Sequence, residues 1–222
     1  MAAKNVSNIG KVSGQAHKSA NVTNKGVVHF QKDQEQFPMK PNSENPSNQQ
    51  VKLKLMQLLL SFIQPFVKRG FKYYFPNFNP QNAALSYNLQ YAIDDSETEP
   101  QILWEKFSFS QGPANPIDSA ALHISAEQQI LSISWTLNPQ LQIKDKMAEY
   151  KAMVLLFPDK PTKHPIIAEM YGNSPLSAQQ LIPLGKSLKK IKYHVYIAFG
   201  PINDLTPCTS SKYLGSIDWK TE

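Results

Sequence analysis

A chain of 222 residues with 41% hydrophobic residues and seventeen prolines can hold one large domain, or a domain of about 100–130 residues plus an extension. Charge divides it unevenly: residues 1–75 carry eleven Lys or Arg against three acids, +8, whereas residues 76–222 carry twelve against fourteen, −2. The lone cysteine, Cys208, excludes a disulfide framework, and the richest apolar run, Leu53–Val67, is too short and too interrupted for a membrane span of about twenty residues.

The opening Met1-Ala2-Ala3-Lys4-Asn5 lacks the apolar stretch of a secretory signal. The expected location is therefore cytoplasmic, and membership of a phage particle or other large assembly is compatible with it. Arg69 is the sole arginine among 23 basic residues. Specific readers of nucleic acid exploit the forked guanidinium, so any nucleic-acid binding by this chain is expected to be non-specific attraction to a polyanion.

Residues 1–46 read as a basic extended arm and linker, with a loose hairpin as the alternative for residues 1–30. Glycines at 10, 14 and 26, with Asn and Ser between them, oppose a helix. Short β-prone pieces lie at Ile9–Val12 and Gly26–Phe30, and Pro38, Pro41 and Pro46 mark the linker. Residues 47–99 read as a helical segment. Ser47 is the expected cap of a first helix, in which Lys54, Gln57, Ser61, Gln64 and Lys68 recur at helical spacing. The rest of that circumference carries Leu53, Leu55, Met56, Leu58, Leu59, Leu60, Phe62, Ile63, Phe66 and Val67. Each of these, fully buried, stabilises by about 1.5–3 kcal/mol, so the helix must be covered by its own chain or by another. Pro65 should kink or restart it. Among Lys68, Arg69 and Lys72, the aromatics Phe66, Phe71, Tyr73, Tyr74, Phe75 and Phe78 suit packing on a neighbouring layer better than base stacking. A second helix starts with Asn79 as cap and Pro80 in its first turn, and the acidic run Asp94–Glu99 ends the segment.

Residues 100–222 read as an antiparallel β-sandwich of about eight strands: 102–110, 121–124, 129–137, 148–157, 165–171, 179–183, 191–199 and 213–219. Leu131, Ile133 and Trp135 share one strand face, and Tyr193, Val195, Ile197 and Phe199 another. The expected class is α+β, mainly β.

The Trp135 strand followed by the Tyr193-x-Val195-x-Ile197 strand resembles the fibronectin type III and immunoglobulin-like pattern, over residues 118–219. A second resemblance covers nearly the whole chain. Ile9-Gly10-Lys11-Val12, Lys25-Gly26-Val27-Val28, Asn45-Pro46-Ser47, Asn82-Ala83-Ala84-Leu85-Ser86-Tyr87-Asn88-Leu89 and Tyr213-Leu214-Gly215 occur in this order. They look like an uncharacterised bacterial domain-of-unknown-function family of about 200 residues, with a looser, more Asn-rich start and fewer arginines here. That resemblance implies an architecture and no activity.

No His-Glu-x-x-His, Cys-x-x-Cys, Gly-x-Ser-x-Gly or phosphate-cradling loop occurs. No catalytic residue, metal ligand or cofactor is assigned, and His194 is read as a surface histidine. The leading expectation is a non-enzymatic structural or assembly protein, a homo-oligomer or part of a larger assembly. Its partner contacts are expected at Lys11, Val12, Lys25, Val27, Val28 and Phe30 of the arm, and at Leu55, Leu59, Phe62 and Phe66 of the helix. The alternatives are a nucleic-acid-associated protein using the basic third, and a glycan-binding sandwich module using Trp104, Trp135 or Trp219.

Overall fold

The computed structural model describes residues 47–75, 77–94, 96, 99–140, 149–187 and 190–221, with the backbone of 20–22 and 28–30. The chain divides into two units, 1–45 and 46–222. In the first, strands β1 (Ala20–Val22) and β2 (Val28–Phe30) pair antiparallel, with Ala20 opposite Phe30.

The second unit begins with helix α1 (Asn48–Phe62), capped by Ser47 in a reciprocal box with Gln50. The helix stops at Ile63 and restarts as α2 (Gln64–Gly70) with Pro65 in the first turn, where a proline removes no helical hydrogen bond. Helix α3 (Pro80–Tyr91) follows, with the Asn79 side chain accepting from the Gln81 amide. Both α1 and α2 pack on α3. The acidic run after α3 is bracketed by a small ladder, β3 (Ile93–Asp94) against β4 (Gln101–Ile102).

The remaining strands are β5 (Ile117–Ser125), β6 (Ile130–Leu137), β7 (Tyr150–Pro158), β8 (Ile167–Glu169), β9 (Gln179–Pro183), β10 (Ile191–Pro201) and β11 (Lys212–Trp219). They form two antiparallel sheets, ordered β5-β6-β9 and β11-β10-β7-β8. The two sheets face one another across a shared core. Leu131, Ile133 and Trp135 meet Val154, Leu156, Val195, Ile197 and Phe199 there, and the Trp135 ring lies edge-on to Phe199 at 5.7 Å.

The four-stranded sheet is buried on its other face as well. Met153, Leu155, Phe157, Tyr196 and Ala198 pack against Met56, Leu60, Ile63, Phe66, Val67 and Phe71 of the helical layer. The fold is thus helices, four-stranded sheet, three-stranded sheet, in that order. Strands covered on both faces lose the in-out alternation of a half-exposed sheet, which explains the unbroken run Ala152-Met153-Val154-Leu155-Leu156-Phe157 and its complete burial. The class is α+β, mainly β.

The expected strand 102–110 is a correction. Only Gln101–Ile102 is in a ladder, yet Phe107 and Phe109 are buried. The backbone of Ser108, between them, is paired by a side chain instead: Asn88 donates to the Ser108 carbonyl at 2.8 Å and accepts from the Ser108 amide at 2.8 Å. That amide acts as one rung of a strand, satisfying buried backbone groups which would otherwise be orphaned.

Candidate functional site

The first helix decides how much apolar surface the second unit leaves uncovered. Met56, Leu59, Leu60, Ile63, Phe66 and Val67 are buried in the chain's own core. Leu59, at 4% exposure, and Phe66, at 6%, are therefore core residues and not contact residues, correcting that expectation. Phe66 packs edge-on against Phe109 at 5.4 Å. The polar side of the helix faces a recess of about 220 Å³ next to α3, lined in part by Gln57, Ser61, Gln64, Gln81 and Asn82.

Between those two sides runs a second apolar row at i, i+4, i+7 and i+11: Val51, Leu55, Leu58 and Phe62. Val51 and Leu55 are half-buried, while Leu58 and Phe62 remain 45% and 39% exposed. Residues at this spacing share one helix face. Leu55 and Phe62 thus stand where an outside partner could reach them, and Leu58 joins them. Of the arm residues, Lys11, Val12, Lys25 and Val27 lie outside the described residues. Val28 and Phe30 form the ends of β2, and their side chains also lie outside the described residues.

The aromatic run after α2 is divided. Phe71 is buried with Tyr74 and Tyr87 against its edges at 5.6 and 6.0 Å, whereas Phe75 and Phe78 are exposed. Two of the three neighbouring cations are committed to the β10–β11 connection. The Lys72 ammonium donates to the Asp204 carbonyl at 2.9 Å. Arg69 donates through Nη2 to the Pro201 carbonyl, places Nε 2.8 Å from the Asp204 carboxylate, and lies over the Tyr171 ring. That carboxylate contact is out of line for a hydrogen bond, so it acts through charge alone. The sole arginine is a buried clasp.

His194 corrects the sequence reading. It points away from the face of Val195, as expected, but that face is covered and the ring is buried. It stacks on Trp104 at 4.3 Å and 11°, with Nε2 2.5 Å from Asp159 and Nδ1 3.2 Å from the Tyr213 hydroxyl. The neutral tautomer protonated at Nε2 donates to Asp159 and accepts from Tyr213. Burial pulls the imidazole below its usual range, against the opposing hydrogen bond and charge of Asp159. Tyr196, behind it, is held well above the usual phenol range by burial and donates to the Trp104 carbonyl. Cys208 is buried and free, its thiol pushed up to about 11 by burial, so it is a poor nucleophile.

Of the three tryptophans, Trp135 and Trp219 are core residues and Trp104 has one face on His194. None of the three presents two free faces to a sugar. No helix among the described residues is long and apolar enough to cross a membrane.

The arrangement defines an α+β, mainly β protein: a two-sheet body with one helical layer and a partly uncovered helix face. The chain belongs to DUF6266, a family of unknown function whose model matches residues 8–215. None of the curated proteins matches it.

Proposed function

We propose that this protein is a non-enzymatic assembly protein whose copies join through the exposed apolar row of α1. The observation carrying the reading is that row itself, Val51, Leu55, Leu58 and Phe62, running beside the buried face and ending in two large apolar side chains open to water. Each such side chain gains by leaving water. A row of this kind is self-complementary, so two helices related by a two-fold axis cover one another. The basic segment 1–46 adds charge-steered contacts to the same assembly. The two-sheet body serves as a fibronectin type III-like scaffold, a reading supported by the three-and-four strand division and by Trp135 packing across to Phe199.

A cysteine introduced by Leu58→Cys tests the contact, because the native Cys208 is buried and leaves the new thiol as the accessible one. Mild oxidation is expected to give a covalent dimer, with Lys54→Cys, on the exposed polar flank, giving little. Equal cross-linking at both positions, or none at Leu58→Cys, overturns the contact.

A further inference from the structure

One end of the two-sheet body carries a groove that no sequence motif announces. The connection after β7 and the residues after β9 flank an open cleft of about 570 Å³, within the size range of small-ligand sites. Its rim holds Lys160, Lys163, His164 and Lys186; its floor includes Tyr193 and Trp219. Among the described residues, no Asp or Glu lines it. The two acids nearest in sequence are engaged elsewhere: Asp159 with His194, and Asp218 with Lys190 at 2.8 Å. Among the described residues, Lys160, Lys163 and Lys186 have no carboxylate partner.

The rim is held from below. The Tyr193 hydroxyl donates to the Pro165 carbonyl at 3.2 Å, and the Trp219 indole N–H donates to the Gly185 carbonyl at 3.1 Å. Thr221 bonds Ser187 twice, its Oγ1 accepting from the Ser187 amide and its own amide donating to the Ser187 carbonyl. The turn before the groove is closed by the Lys163 and His164 amides, both donating to the Lys160 carbonyl. Cations gathered on a supported rim repel one another until an anion sits between them.

We propose that this groove binds a small ligand carrying two or more adjacent tetrahedral oxyanions, of the phosphate class. Three ammonium groups are point charges with freely turning donors, suited to several oxyanions in succession. The floor aromatics are almost fully buried, so they offer no face on which a base could stack, which separates this site from a single-strand binding channel.

The test is calorimetric titration of the full chain with inorganic tripolyphosphate at low ionic strength, with ATP as a second arm. The triple variant Lys160→Ala/Lys163→Ala/Lys186→Ala is expected to bind at least about tenfold more weakly. A control removing the same charge elsewhere, Lys54→Ala/Lys68→Ala/Lys106→Ala, is expected to stay within about twofold of wild type. Equal affinity for both ligands assigns recognition to the phosphates, and tighter ATP binding assigns a nucleotide; each supports the site. No binding by wild type, equal losses in both triples, or no loss in the groove triple overturns it. So does retention of a single-stranded oligonucleotide with neither small anion bound.

Discussion

His194 shows how one side chain changes meaning with its surroundings. In the sequence it is one of five scattered histidines, and a period-2 reading sends it to the face opposite Val195. That direction is right, yet the face belongs to the helical layer, where Trp104 covers the ring and Asp159 and Tyr213 take its two nitrogens. Because burial lowers its proton affinity in the folded chain, the unfolded chain takes up the proton first as pH falls. Its contribution to stability is complete above about pH 6.5 and declines as pH drops from there through the folded-state value. His194→Gln, which stays neutral, is expected to flatten that decline. Urea midpoints of both proteins between about pH 7.5 and 5 check this; parallel curves would contradict the assignment.

At the level of elements, the strongest local signals proved the most informative. Ser47 and the Asn79-Pro80 pair mark helix starts because caps act on backbone groups within one turn, and β9 occupies 179–183 as its residues suggest. The segment around Phe107 and Phe109 looked like a strand because its alternation is real, but its pairing partner is the Asn88 side chain, which no periodicity reveals. The run Ala152–Phe157 carried an unread signal: with no polar residue on either face, it required a third layer. Gly70 ties α2 to the Phe109 segment by close approach. A Cβ built there would lie 2.3 Å from the Phe109 carbonyl oxygen, a backbone atom that cannot swing away. Gly70→Ala is therefore expected to destabilise by about 1–3 kcal/mol, lowering the melting temperature by about 2–4 °C per kcal/mol. A melting temperature equal to or above wild type would show that the layers can part freely.

For the whole molecule, charge and greasiness were legible as totals but not as places. The excess of lysine at the amino terminus was plain, whereas the groove at the end of the sheets was hidden within a carboxyl-terminal stretch of net −2. Lys160 and Lys163 line one cleft with Lys186 only because the connections after β7 and β9 emerge at the same end. Likewise, ten apolar residues on Leu53–Val67 said that the helix needed a cover without saying how much its own chain supplied. The second unit buries six of them and leaves Leu58 and Phe62 on a row beyond its reach. The most direct measurement of that uncovered row is the mass of the native particle by light scattering over a range of concentrations, for wild type and for Leu58→Glu/Phe62→Glu. Wild type is expected above the single-chain 25.0 kDa and the double variant at it; a wild-type mass of one chain throughout, or an unchanged multiple in the variant, would contradict assembly through α1.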